Sequence, residues 1–356
     1  MSSAEFAGTM PVAERQRFDE RSLERYLAAH LAGFRSPLSV EQFRGGQSNP
    51  TFLLTAGDGA QYVLRKKPAG ALLPSAHAVD REYRLISALH GSSVPVARPL
   101  CLCSDPSVIG TMFYVMGYAA GRNFWDPTLP GMSVAGRAAI YDEVNRVLVA
   151  LHTLDYAAAG LGDFGRPGNY FARQIARWSK QYRASETERI EAMEKLIAWL
   201  PANIPPHEET TLVHGDYRLD NLIFHREEPR MLAVVDWELS TLGHPLADLS
   251  YHVMLWRVEG GEIRGLKGVD LVALGIPTEA QYVETYCRRS GRPAIEPRVW
   301  EFCMAYNMFR IASIRQGIMK RVLEGTAASR HARESGERAR ATAELAWRQV
   351  EQNLGG

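Results

Sequence analysis

Leu212–Leu249 reads LVHGDYRLDNLIFHREEPRMLAVVDWELSTLGHPLADL, and its layout decides how the rest of the chain is read. An apolar pair, Leu212 and Val213, leads into a loop holding Asp216 and Asn221. A strand pattern (Leu222, Ile223, Phe224), a polar turn and a second apolar run from Met231 to Val235 follow, and that run ends at Asp236. Two strands joined by a turn bring Asn221 and Asp236 near one another at strand ends beside loops. Asp216 precedes the first strand, so three oxygen-bearing groups can converge. Mg²⁺ takes few protein oxygens, because substrate phosphates and water complete its shell. A carboxylate left outside that shell can accept a proton from an attacking hydroxyl. The pattern points to phosphoryl transfer.

The chain has 356 residues, long enough for two lobes, and its 46% apolar content supplies a full core. The 41 basic and 40 acidic residues leave a net charge of +1, with no basic stripe, so no nucleic-acid partner is expected. Cys101, Cys103, Cys287 and Cys303 form no C-x-x-C pair and are too scattered to staple a chain of this size. They read as buried thiols in a reducing, cytoplasmic compartment. Residues 1–17 lack the basic and apolar regions of a signal peptide. No apolar run approaches the roughly 18 residues a membrane helix needs, so no membrane association is expected. Neither a Walker A G-K-S/T nor a serine-hydrolase G-x-S-x-G elbow is present.

HGDYRLDN, then VVDWE, then PLADL, in this order and spacing, resembles the aminoglycoside phosphotransferase and choline-kinase group of small-molecule kinases, distant relatives of protein kinases. The resemblance runs from about Phe43 to beyond Tyr251. It implies an α+β, two-lobed protein-kinase-like fold: a small N-lobe with an antiparallel sheet and a helix, and a larger, mainly helical C-lobe. The expected division is an N-terminal helical extension over 1–37, an N-lobe over 38–118 and a C-lobe over 119–356. ATP and Mg²⁺ are the implied nucleotide and metal.

Site residues follow along the chain. Gly45, Gly46, Ser48 and Asn49 sit between strand patterns, where glycines allow close backbone approach and free amides can bond phosphate oxygens. A ligand-free hairpin turn has the same composition; the family uses a similar loop over the nucleotide phosphates. In Val63-Leu64-Arg65, Arg65 stands where protein kinases carry the lysine of V-A-I-K, and a guanidinium can fork onto two phosphate oxygens. Lys67 shares its strand face and remains a second candidate, while Lys66 faces away. Glu82, in the helical pattern Asp80–Leu89, is the acidic group expected to hold Arg65. The apolar loop AGALLPSAHAV before it is expected to cap the nucleotide or touch the substrate. The family's inter-lobe linker bonds the adenine edge through its backbone, which makes Met116 and Tyr118 candidates by position.

For the central motif, the resemblance implies Asp216 as catalytic base and Asn221 with Asp236 as Mg²⁺ ligands. Glu238, two positions on in an extended segment, joins the metal shell or lies just outside it. Arg218 stands where protein kinases place a lysine near the transferred phosphate. His214 is expected to brace the loop, and Asp248 to hold its backbone. Gly243-His244-Pro245 replaces the more usual G-D-P.

The second lobe reads as helices over Val134–Leu154, Tyr170–Trp199, Leu249–Val258, Pro277–Ser290, Pro297–Gly317 and Arg333–Gln352. The segment from Asp236 to Asp248 is too short for a peptide-docking activation segment, so a small-molecule hydroxyl is the expected acceptor. Arginines in the later helices, including Arg289, Arg292, Arg310 and Arg315, suit an anionic or acyl acceptor. RKKPAGALLPSAHAVDREYRLISAL and DWELSTLGHPLADL resemble the kinase-like module associated with acyl-CoA dehydrogenases. That subgroup implies a hydroxyacyl-CoA or hydroxy acid as substrate, and a functional link to such a dehydrogenase. The alternatives are a phosphotransferase for an aminoglycoside or another amino alcohol or sugar, and a catalytically silent nucleotide-binding module.

Overall fold

Consecutive apolar residues in TFLLT and QYVLRK point alternately to opposite sides and so give neighbouring strands two buried faces, and the layers on those faces place the first half of the site. The structure, a computed structural model, describes residues 8–44, 49–68, 78–260, 265–327 and 331–354. Along the chain come β1 (Thr9–Met10), α1 (Glu20–His30), β2 (Ser39–Phe43), β3 (Thr51–Thr55), β4 (Gln61–Lys66), α2 (Val79–Leu89), β5 (Pro99–Cys103) and β6 (Phe113–Gly117). They are followed by α3 (Val134–His152), α4 (Tyr170–Ser185), α5 (Glu191–Ala202), β7 (Thr211–Val213), β8 (Leu222–Phe224), β9 (Met231–Val234) and β10 (Thr241–Gly243). The chain then continues through α6 (Pro245–Val253), α7 (Leu271–Leu274), α8 (Glu279–Ser290), α9 (Pro297–Leu323), α10 (Ala332–Glu337) and α11 (Ala339–Leu354). This is the expected α+β kinase-like arrangement of an N-terminal antiparallel sheet and a helical C-terminal part.

The chain divides into two units, one formed by Met1–Leu129, Ala157–Leu161 and Leu219–Leu239, the other by the remainder. In the first, an antiparallel sheet runs in the order β1-β2-β3-β4-β6-β5. The register sets Phe52 opposite Leu64 and Leu64 opposite Val115. Leu23 and Leu27 of α1 close over this face and are fully buried, each contributing about 2 kcal/mol by removal from water. Asp19 caps α1 by accepting from the Ser22 amide at 3.0 Å. Lys66 faces the α1 side, as alternation predicts, and is buried there over the rings of Phe18 and Phe52. Arg65 and Tyr114, paired across β4 and β6, occupy the opposite face with Glu82 of α2.

The same unit holds the β8–β9 hairpin. Arg122 and Phe224 exchange backbone hydrogen bonds at 2.8 Å, tying the segment after β6 to β8. Gly121 makes that approach possible, since a Cβ there would sit 2.2 Å from the Phe224 carbonyl oxygen.

In the second unit α9 is the central element, packed against α4, α5, α6, α10 and α11. Pro297 opens it, and long stretches are apolar all round, as a core helix must be. β7 pairs antiparallel with β10, Leu212 opposite Leu242. Several expected helices are divided. Tyr170–Trp199 is α4 and α5, broken around the fully buried Ile190. Leu249–Val258 is instead α6, beginning earlier at Pro245, then a 3₁₀ turn over Met254–Trp256. Arg333–Gln352 is α10 and α11. No helix among the described residues is long and apolar enough to cross a membrane.

Candidate active site

Arg65 is the hub of the sheet unit's polar cluster. Its Nε lies 2.9 Å from Glu82 Oε2, its Nη2 2.7 Å from Asp236 Oδ1 and 3.6 Å from Glu238 Oε2. Asn49 Nδ2 donates to the other Glu82 oxygen at 2.9 Å, and the Tyr114 hydroxyl donates to Oε2 at 3.1 Å. Burial pushes the Glu82 carboxyl up to about 7, with Asp236 and Glu238 adding to the rise and Arg65 opposing it. Burial alone would lower the Arg65 pKa, but Glu82 and Asp236 more than reverse that and hold the guanidinium charged. Three carboxylates around one arginine leave excess negative charge, which suits a site for a further cation.

The hairpin sets the spacing of the oxygen ligands. Leu222 pairs with Val234, and the Val235 amide donates to the Asn221 carbonyl at 2.9 Å, which brings Asn221 beside the residue preceding Asp236. Asp236 has a φ of 67°, a left-handed conformation uncommon outside glycine. That bend turns the chain into a 3₁₀ turn at Trp237–Leu239, so Glu238 lies in a turn and not in the expected extended segment. The Trp237 indole closes it by donating to the Val234 carbonyl at 2.9 Å. An amide oxygen and a carboxylate are hard donors of the kind Mg²⁺ takes, and two suffice when phosphates and water complete its shell. The donor set fits that metal.

Met116 lies on β6 opposite Val63. Tyr118 follows, its amide 3.4 Å from the Gln61 carbonyl and its ring stacked on Phe43 at 6.5 Å. Lys67 is 3.8 Å from Asp80, while Arg65 takes Glu82. Gly45, Gly46 and Ser48 lie outside the described residues, as does most of the loop before α2.

In the helical unit, β7 delivers His214, Gly215 and Asp216. Asp248 on α6 accepts from the backbone amides of His214 and Gly215, the latter at 2.7 Å, so it holds the loop as expected. His152 Nε2 lies 3.5 Å from the same carboxylate, and its Nδ1 is 2.7 Å from the Tyr286 hydroxyl. Burial alone would raise the Asp248 pKa; the hydrogen bond from His152 and the Gly215 amide outweigh it and keep the group ionised. The His214 ring braces the loop, its Nδ1 accepting from the Asp216 amide at 3.1 Å.

The Asp216 carboxylate is fixed from two sides. Tyr251 donates its hydroxyl to Oδ1 at 2.5 Å, and Arg218 Nε is 3.3 Å from Oδ2. Burial, then the Asp216 charge, push the Tyr251 phenol well above its ordinary range, so it remains a donor. Arg310, buried in α9, donates to the Gly215 carbonyl at 2.6 Å and lies over the rings of Tyr251 and Trp178, 5.1 and 5.6 Å from their centroids. Tyr251, Arg310 and His152 were not foreseen as parts of the loop's support. Tyr251 follows Asp248 by three positions, a spacing that shares a helix face, and Arg310 interrupts the apolar run AYNMFRIAS.

The model of the phosphotransferase enzyme family matches residues 39–302. The chain is 48% identical over 342 residues to mouse (Mus musculus) acyl-CoA dehydrogenase family member 10, covering 95% of this chain and 32% of the mouse protein. It thus spans about a third of that relative's length. The crystal structure of a candidate aminoglycoside phosphotransferase from Ralstonia eutropha is similar with a TM-score of 0.87 and 55% identity, over 94% of this chain and 99% of that one. Choline kinase from Cryptosporidium parvum shares the fold at a TM-score of 0.65 and 11% identity, over 95% and 97% of the two chains. The chain belongs to the phosphotransferase enzyme family.

Proposed function

We propose that this chain transfers the γ-phosphoryl group of ATP to the hydroxyl of a hydroxyacyl-CoA or a hydroxy acid. Asp216 carries the reading: its carboxylate is held by Tyr251 and Arg218 at the end of β7 and is aimed by a loop fixed to Asp248. Asp216 orients the acceptor hydroxyl and takes its proton. The acceptor oxygen bonds to the γ-phosphorus as the bond to the β,γ-bridging oxygen breaks, and ADP leaves with that electron pair. Arg218 supplies positive charge to the transferred group. Arg65, held by Glu82, contacts the nucleotide phosphates, with Gly45, Gly46, Ser48 and Asn49 over them and the backbone at Met116 and Tyr118 on the adenine edge. Asn221 and Asp236 would hold Mg²⁺, with Glu238 beside them; the bound metal neutralises phosphate charge.

The acceptor class is supported by the identity to the mouse acyl-CoA dehydrogenase family member and by the arginines of the later helices. A functional link to an acyl-CoA dehydrogenase belongs to the same proposal. The four free cysteines support a reducing, cytoplasmic setting. An aminoglycoside acceptor is the second reading, favoured by the similarity to the Ralstonia protein. Incubation with MgATP and either a 4-hydroxyacyl-CoA or kanamycin, following ADP release, separates them. Turnover of the thioester is expected; turnover of kanamycin alone overturns the choice.

A further inference from the structure

The cations of the later helices differ in what they are paired with. Arg289 lies 2.7 Å from Asp142, Arg292 is paired with Glu209, and Arg257 grips both Glu279 and Glu301. Arg310 on α9 is buried, unlike these three, yet among the described residues no carboxylate lies within ion-pair distance of it. Its Nη2 donates to the Gly215 carbonyl at 2.6 Å, and its guanidinium lies over the rings of Tyr251 and Trp178, 5.1 and 5.6 Å from their centroids.

A neutral carbonyl does not call for a buried charge. Desolvating a cation is costly, and an amide donor would hold the same carbonyl with a smaller penalty. The Tyr251 ring supplies the reason for the charge, because its face meets the guanidinium while its hydroxyl donates to Asp216 Oδ1 at 2.5 Å. A cation over the face of a phenol is attracted to its π-system and draws electron density from the ring. The O–H becomes a stronger donor, and its bond to an anionic acceptor tightens, as linked polar groups polarise one another where the dielectric is low. Burial and then the Asp216 charge raise the Tyr251 pKa, and the cations Arg218 and Arg310 oppose them, in the same sense. Arg310, Tyr251, Trp178, Gly215 and Asp216 all belong to the helical unit.

We propose that Arg310 is a positioning residue for phosphoryl transfer: its charge over the Tyr251 ring strengthens the hydroxyl's hold on Asp216, and its Nη2 fixes the Gly215 peptide that precedes Asp216. The proposal rests on the reading of Asp216 as the base and names a device that orients it. Arg310 acts through two neighbours of the carboxylate, so it needs no contact with either substrate. A planar guanidinium suits both tasks at once, since one edge can donate to a carbonyl while its face stacks on aromatic rings.

The test is a double-mutant cycle read as kcat for ADP release by the full chain, with MgATP and 4-hydroxybutyryl-CoA or kanamycin, whichever the wild type turns over. R310Q, which removes the charge, is expected to lower kcat about tenfold with KM for ATP unchanged, and R310K to recover part of the loss. Y251F keeps the ring and deletes the hydroxyl, so in that background the R310Q loss shrinks to about threefold, the share carried by the Gly215 carbonyl. An unchanged kcat in folded R310Q, or losses in the two backgrounds that agree within about twofold, overturns the proposal while phosphoryl transfer stands. Should R310Q not fold, R310K takes its place: a loss that shrinks in Y251F supports the proposal, and an equal loss or none overturns it. Absence of ADP release from the wild type with both acceptors defeats the functional reading instead. Carbon-13 NMR of ring-labelled tyrosine then decides the coupling without activity. A Cζ resonance that vanishes in Y251F and moves in R310Q or R310K supports it, and one that stays in place overturns it.

Discussion

Tyr251 donates its hydroxyl to Oδ1 of Asp216 at 2.5 Å, joining the helix that holds the loop to the carboxylate that the loop presents. The same helix carries Asp248, so one rigid element fixes both the backbone at His214 and Gly215 and the side chain at Asp216. Tyr251→Phe removes one hydrogen bond and nothing else. Loss of a bond of about 1 kcal/mol should lower kcat several-fold to about tenfold, with KM for ATP unchanged. Steady-state kinetics check this, and an unaltered kcat would show that the phenol does not position Asp216.

Asp248 holds two buried backbone amides and contacts His152. Asp248→Ala leaves those donors without an acceptor in a dry interior, at a cost of about 3–5 kcal/mol. Urea unfolding should register the loss, with a midpoint well below wild type. A midpoint within error of wild type would mean that the loop is held elsewhere.

Much of this was legible beforehand where chemistry and spacing act locally. The turn between β8 and β9 places Asn221 by Asp236 because two short apolar strands leave few other arrangements. The Arg65–Glu82 pair was legible from the resemblance of Val63-Leu64-Arg65 to the kinase strand that carries a phosphate-binding lysine paired with a helix glutamate, and the structure sets the two 2.9 Å apart. The extended backbone expected at Glu238 is a 3₁₀ turn instead, because the left-handed backbone at Asp236 ends the extended run before it. Arg310 reaches the Gly215 carbonyl from a helix far along the chain, a pairing set by tertiary packing that no local period encodes.

Gly121 supports the hairpin from beneath. Gly121→Ala places a methyl 2.2 Å from the Phe224 carbonyl, so the Arg122–Phe224 bonds must shift, at about 1–3 kcal/mol. The melting temperature should fall and ATP binding by calorimetry should weaken, because Asn221 and Asp236 ride on the same strands. An unchanged affinity would separate the hairpin from the nucleotide.

Acid should destabilise the helical unit through its buried histidines. His252, ringed by Tyr217, Trp256 and Tyr282, is lowered from 6.5 to about 3 by burial, and burial likewise lowers His244 to about 4. The unfolded chain takes up protons below 6.5 that the folded chain refuses. Their stabilising contribution is therefore complete above 6.5 and is lost as the pH falls toward 3. His252→Phe removes one of these protons, so its melting temperature should fall less steeply between neutral and acid pH. An unchanged slope would contradict the assignment.

The most direct test of the central claim is phosphoryl transfer by Asp216→Asn, measured as ADP release with MgATP and the preferred acceptor, beside calorimetric ATP binding by the same protein. The geometry predicts that transfer is abolished while ATP affinity matches wild type, since the amide cannot take the acceptor's proton yet fills the same space. Transfer at the wild-type rate in this variant would contradict the assignment of Asp216 as the base.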